Sequence, residues 1–480
     1  MSERSDDPDL DAPRAPADLI RGLGPWQATA IVVSTMIGTG VFLVAAPMAR
    51  AAGSANLVLI SWLVGTAVVL CGALCFAELG AALPEAGGLF VYLSRGLGPL
   101  AGFLFGWTNS ILAAPARMAT LAAGFMRFVG FFFPALSAPV ETFHLGSHEL
   151  RLTTAQPLAA AMVLVLSAVN VLSIRMGGAA QLVLGVMKVA VLATLIIAGS
   201  LLPAHVPGTR PVGTLLNFAA IPAVLTAIVP VMWAFNGFQN LGHLGGEIRN
   251  PRVNLPRALL AGVLLVGALY VLVDLTYFHV LPFGRIAVSQ DVASDVSSVL
   301  FGDRAARWLT IAMAISALAS LHAVIMAEAR VPYAMARRGL FFFTAAARVH
   351  PRFRSPVGAL LYTGTLAALL TLTGSFEELY SLYVFTMWIF FGLAALSLMR
   401  LRSSEPRLER PYRAWGYPWT PAVFCGAALA LTLNLCFGSP VRSSFGVLVI
   451  LSGIPLHRVW RGRERSLRER TYAQPRNTGH

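Results

Sequence analysis

Of the 36 basic residues in the chain 35 are arginine, and the single lysine, Lys188, lies inside the apolar run from Gln181 to Ala198. An ammonium at membrane depth is costly unless it is paired, neutralised or facing a water-filled cavity. Lysine also exchanges its proton on desolvation far more readily than arginine does. Two chemistries are therefore open to Lys188: gain and loss of a proton during a cycle, or a structural bond to backbone carbonyls that ties two helices together. Two other apolar runs are interrupted by glycine and small polar residues, one from Ser34 to Phe42 and one from Trp233 to Gln239. Where a membrane helix unwinds, its amides and carbonyls need partners, so such backbone survives only buried in protein or lining a cavity. The amides of Thr39 and Gly40, at the start of a half-helix, suit a carboxylate. The carbonyls around Ile37, Trp233, Ala234 and Asn236 suit an ammonium. A pocket that takes both charges fits an α-amino acid.

The elements that must position these residues are membrane helices. With 56% apolar and 12% charged residues and a mean hydropathy of +0.70 over 480 residues, the chain is not a water-soluble globule. Apolar runs recur at about 25–48, 56–82, 98–128, 156–173, 177–202, 218–245, 255–281, 305–337, 356–374, 378–400, 417–437 and 441–460. The spacing predicts an all-α membrane protein with twelve transmembrane helices. The third, sixth and eighth runs are long enough to imply tilt or breaks. A lone glycine pair in such a helix also serves close packing, but two breaks five helices apart point to an inverted-repeat transporter and its substrate site.

The net charge of +14 does not signal nucleic acid, because with both termini cytoplasmic most of it falls on inner loops and tails. The predicted organisation is a disordered cytoplasmic tail over 1–24, a transport core over 25–400, two more helices with a preceding basic loop over 401–460, and a basic cytoplasmic tail over 461–480. That last tail is either a topology signal or a patch for anionic lipid headgroups. Cys71, Cys75, Cys425 and Cys436 all fall in predicted helices, which gives no extracellular disulfide framework. The nine histidines form no metal-ligand motif and no activated nucleophile appears. No catalytic residue, metal or cofactor is expected, and a membrane enzyme is disfavoured.

Longer stretches carry a resemblance. Ile37 to Phe42, Phe76 to Gly80 with Leu83 to Tyr92, Gly245 to Pro251 with Leu255 to Ala258, and Arg410 to Pro418 are together similar to the amino acid–polyamine–organocation superfamily of permeases, which share the leucine-transporter fold. The resemblance implies a five-plus-five inverted repeat with discontinuous helices 1 and 6, and helices 11 and 12 as additions. It implies that Ile37, Gly38, Thr39 and Gly40 bind a substrate carboxylate, that Phe235, Asn236 and Gly237 bind its amine, and that Trp233 closes over it. Lys188 matches a helix 5 lysine that takes the place of sodium in sodium-independent branches, with Ser316 and Ser320 of helix 8 completing that site.

Two departures stand out. The acidic pair usual after helix 6 is Gly246 and Glu247 here, and Phe238 and Gln239 follow the helix 6 glycine where many relatives carry Asp or Trp. The outer loop over 129–154 has no cysteine, so no disulfide-linked heavy chain is expected. Arg117 either lines the outer vestibule, snorkels, or pairs with Asp274. Asp274 is a structural acid or a proton relay, and His322 a neutral histidine bonded to a neighbouring helix or a titrating group. Glu78, Glu85 and Glu247 form gating salt bridges or plain solvated charge. The expected function is amino-acid transport across the inner (plasma) membrane by alternating access, sodium-independent, for neutral amino acids, by proton symport or exchange. The alternatives are a non-transporting amino-acid sensor and a permease for polyamines or cationic amino acids. The expected partners are the amino-acid substrate and membrane lipid, and no nucleic acid.

Overall fold

The computed structural model describes residues 24–83, 88–145, 148–172, 178–201, 220–241, 248–353 and 355–473. The tail expected over 1–24 (save Gly24), the acids Glu85 and Glu247, and residues 474–480 of the basic tail lie outside them.

Helix fills the apolar runs. The first run holds α1 (Pro25–Met36), α2 (Gly40–Leu43) and α3 (Ala45–Ala52), and the second holds α4 (Ala55–Ala82). After α5 (Leu89–Gly96) the third run is α6 (Pro99–Thr108), a π-helical turn (Asn109–Ala113) and α7 (Ala114–Phe132). A π turn inside a helix widens it by one residue per turn, and such turns are often functional. The segment that follows, expected as an outer loop in an all-α chain, instead forms an antiparallel hairpin of β1 (Pro139–Leu145) and β2 (His148–Thr153). Outside the hydrocarbon, backbone polar groups can pair between strands, so this departure costs nothing.

The remaining helices are α8 (Ala155–Val171), α9 (Gly178–Leu201), α10 (Ile221–Ala234), α11 (Pro251–Val280), α12 (Phe283–Val288), α13 (Val292–Glu328), α14 (Arg330–Arg337), α15 (Val357–Thr371), α16 (Phe376–Ser404), α17 (Trp419–Gly438) and α18 (Pro440–Ala473). Among the described residues eight stretches are long and apolar enough to cross a membrane. Three shorter apolar helices fall in the fourth, fifth and ninth runs. The last helix runs on through the basic segment as far as Ala473.

Local chemistry sets the helix ends. Ser375 opens α16 by accepting from the Glu378 amide, while the Glu378 carboxylate accepts from the Ser375 amide at 2.7 Å, a reciprocal cap. Gly302 kinks α13 with φ of 77°, a left-handed geometry that a residue with a Cβ resists.

Two packed groups emerge. In one, α11 packs on α1 and α4, and α4 on α10; in the other, α7, α8, α13 and α15 pack on one another, and α9 touches α1, α11 and α13 across the seam. Leu63, Val64, Leu264, Leu265, Leu429 and Leu433 are exposed, as the lipid-facing surface of a membrane bundle requires.

Candidate functional site

The two breaks face each other. α1 stops at Met36 and helix resumes at Gly40, while α10 stops at Ala234 and gives way to turns through Phe235, Asn236 and Gly237. A Cβ added to Gly40 would stand 2.7 Å from the Ala234 Cα, and one on Gly237 would stand 2.5 Å from the Thr35 carbonyl oxygen. Only glycine permits that approach at both positions. At Gly237 φ is also 122°, which other residues rarely adopt. The Thr35 hydroxyl donates to the Gly237 carbonyl at 3.3 Å, stitching one break to the other.

The backbone exposed by the breaks is partly claimed. The Tyr270 hydroxyl of α11 lies 3.0 Å from the Met36 carbonyl and 3.1 Å from that of Ala234, and the Asn236 amide donates to the Trp233 carbonyl at 3.0 Å. The Trp233 carbonyl, expected to be open to a ligand ammonium, is therefore already bonded, and the Ala234 carbonyl shares the one Tyr270 proton with Met36. Tyr270 packs with Trp62 and Phe235 as an aromatic layer beneath the breaks. Sequence reasoning missed Tyr270; a hydroxyl-bearing aromatic within the apolar seventh run was the signal.

The side chains leave polar atoms unclaimed. Gln239 bridges the second break, accepting from the Gly237 amide at 3.1 Å and donating to the Asn236 side-chain oxygen at 3.0 Å. The Asn236 Nδ2 and the Thr39 Oγ1 are buried with no hydrogen-bond partner among the described residues. Buried polar groups without partners are rare in folded proteins, and their cost is recovered when a ligand satisfies them. Ile37 and Gly38 complete the first break, Ile37 buried in the core.

Above the breaks Trp233 is packed by aromatics of α16. It lies against Tyr380 in a near-parallel stack with centroids 6.4 Å apart and meets Phe376 and Tyr383 edge-on. Beside this layer Glu377 accepts from Arg127 of α7 at 2.6 Å and from Arg50 of α3 at 3.2 Å, and Arg127 also lies over the Phe376 ring. Nothing in the local sequence couples these three charges, because they meet only through the fold.

Lys188 crosses the seam between the two groups. Its Nζ donates to the Ser34 carbonyl, three residues before the first break, at 3.2 Å, and to the Ser320 hydroxyl of α13 at 2.9 Å. Ser320 in turn donates to the Ser316 carbonyl at 2.9 Å, and the Ser316 Oγ has no partner among the described residues. No carboxylate pairs with Lys188 among the described residues.

The other polar residues are held as follows. Arg117 does not pair with Asp274: its Nη1 donates to Glu328 of α13 at 2.8 Å, whereas Asp274 accepts from the indole N–H of Trp62. The rod α6–α7 packs along α13, which brings Arg117 to Glu328. His322 stands 3.1 Å from the Asn170 side-chain nitrogen on α8. Glu78 is fully buried at the end of α4, bonded to Arg402 at 2.5 Å, close to Arg410 at 3.5 Å, and accepting from the Ala414 amide at 2.6 Å. All four cysteines are free.

Comparison with known proteins agrees with this architecture. A sequence model of the family described as amino acid permease matches residues 23–455. The chain is 27% identical over 442 residues to the serine/threonine exchanger SteT of Bacillus subtilis (strain 168), covering 92% of this chain and 96% of that protein. It is 30% identical over 450 residues to the b(0,+)-type amino acid transporter 1 of Homo sapiens, covering 91% and 87%. To the Asc-type amino acid transporter 1 of Mus musculus it is 26% identical over 448 residues, covering 91% and 81%. Apolar helices that cross a membrane repeatedly, and a likeness that runs through nearly the whole chain, make this a multi-pass membrane protein that belongs to the amino acid permease family.

Proposed function

We propose that the protein moves neutral amino acids across the inner (plasma) membrane by alternating access, without sodium, as an exchanger or proton symporter. Both termini are cytoplasmic in this reading, and the apolar runs act as twelve helices in a five-plus-five inverted repeat plus two. The observation that carries the reading is the pair of touching breaks with two buried, unpartnered side-chain atoms, Thr39 Oγ1 and Asn236 Nδ2. The Thr39 hydroxyl stands where a carboxylate is expected, and the Asn236 Nδ2, a donor, suits an acceptor oxygen of the substrate rather than its ammonium. Membrane transporters bind substrates at such paired discontinuities.

Further support comes from Lys188. Its ammonium bonds a carbonyl just before the first break and a hydroxyl on α13, the kind of oxygen ligands a bound cation would use. A tethered cation in that position makes a free one unnecessary. Exchange of neutral amino acids is consistent with the name of the Bacillus relative, a serine/threonine exchanger. Trp233 and its aromatic neighbours act as the outer lid, since closure over a ligand commits it to transport. The outer segment over 129–154 offers no cysteine, so the protein works without a disulfide-linked partner.

The test is uptake of labelled alanine or serine into proteoliposomes loaded with unlabelled amino acid, in sodium-free buffer and with sodium added. Uptake in both buffers is expected. Dependence on sodium would remove Lys188 from its assigned place, and absence of any uptake would overturn the transport reading.

A further inference from the structure

One buried ion pair has no part in the site described so far. The Arg117 Nη1 donates to Glu328 Oε1 at 2.8 Å, and Asn109, on the π turn, donates its Nδ2 to Glu328 Oε2 at 3.0 Å. Only 7% of the Arg117 side chain and 13% of the Glu328 side chain are exposed. A buried pair that merely joins two helices is commonly matched or bettered by apolar residues of the same shape. Intramembrane charges of this kind mark pathways and ligand sites.

Tyr383 connects the pair to the breaks. Its ring meets Trp233 edge-on with centroids 5.5 Å apart, and its helix, α16, packs on α7, which carries Arg117; α7 also reaches the first break, where a Cβ on Gly124 would stand 3.0 Å from the Thr39 Cγ2. Arg117 uses only Nη1 among the described residues, so its Nη2 and Nε N–H groups remain as donors. Each Glu328 oxygen accepts one bond, while a carboxylate oxygen has room for a second. The pair therefore presents donors and acceptors side by side with no net charge.

We propose that Arg117 and Glu328 form the side-chain subsite of the amino-acid pocket and select an uncharged side chain that both donates and accepts, a carboxamide above all. The proposal rests on the amino-acid reading given above. A carboxamide oxygen accepts from Arg117 while its NH2 donates to Glu328. A cationic side chain is opposed by Arg117, an anionic one by Glu328, and an apolar one leaves desolvated polar groups unpaired.

The experiment is competition against labelled alanine uptake in proteoliposomes by glutamine, asparagine, methionine, glutamate and lysine. Glutamine and asparagine are expected to compete at roughly tenfold lower concentration than the other three, the size of one hydrogen bond to a charged group. Arg117→Met alone strands a buried carboxylate and risks misfolding. The double variant Arg117→Met/Glu328→Met strands no charge and only the neutral Asn109 amide, and in it the glutamine-to-methionine preference should fall roughly tenfold or more. Glu328→Gln leaves the guanidinium unopposed and should shift the ratio of glutamate to glutamine toward glutamate. A preference unchanged in these variants, or an equal loss across the whole panel, overturns the subsite and leaves a helix tie. A wild-type protein that takes up no alanine overturns the transport reading first and the subsite with it.

Discussion

Two buried charges in this protein are held in opposite ways. Glu78 is surrounded by countercharge, with Arg402 and Arg410 beside it and the Ala414 amide bonded to it. Lys188 is 5% exposed and has only neutral oxygens, the Ser34 carbonyl and the Ser320 hydroxyl. A buried ion with opposite charges around it is expensive to disturb, because removing one member strands the others. A buried ion held by dipoles alone keeps most of the penalty of a desolvated charge, and removing it strands no other charge. The first arrangement fixes α4 to the end of α16 and the segment that follows it. The second spans the seam between the two packed groups, and dipoles alone hold it there.

The largest loss is expected where the two breaks touch, away from both charges. Gly237→Val puts a branched side chain against the Thr35 carbonyl at a φ of 122°. It should abolish substrate binding, read by calorimetric titration, while the purified protein still elutes as a folded species. Retained affinity would move the site elsewhere.

Next in size is Lys188→Ala. Transport should fall roughly tenfold or more as the bonds to Ser34 and Ser320 are lost, and Lys188→Arg should not restore it, being larger and always charged. Thermal stability in detergent should hold or rise, since a buried charge without a counterion is removed. Glu78→Ala should do the reverse in stability. It leaves two arginines without their acceptor, a loss of about 3–5 kcal/mol visible as a lower Tm. If both variants lose equal stability, the distinction between the two charges fails.

Smaller effects are expected around Trp233 and Glu377. With Trp233 as the proposed lid, Trp233→Ala should let bound substrate leave several-fold faster, measured as efflux from preloaded vesicles. Glu377→Gln weakens the bonds to Arg50 and Arg127, of which Arg50 is 48% exposed. Pairs of that exposure contribute about 0–1 kcal/mol, so hydrogen exchange over 45–52 and 376–381 should rise modestly, and less so in high salt.

Much of this was legible in the sequence, and the pattern of what was not has a physical cause. Gly38 and Gly40 in one apolar run, and Asn236 and Gly237 in another, mark broken helices because backbone exposure in a membrane restricts residue choice at the break itself. Lys188 was visible for the same reason, an unpaired charge among apolar residues. Partners were not visible. Glu328, Tyr270 and Glu377 meet Arg117, Met36 and Arg127 only when distant helices pack, and an apolar membrane helix shows no polar stripe to tell which face turns inward. The pairing of Arg117 with Asp274 was wrong on that account. The hairpin over 139–153 escaped because hydropathy reports burial in lipid and is silent on strands outside it.

The Tyr270 hydroxyl has one proton and faces two carbonyls, Met36 on one broken helix and Ala234 on the other. A single proton thus serves both broken helices, and α11 is the common anchor of the two.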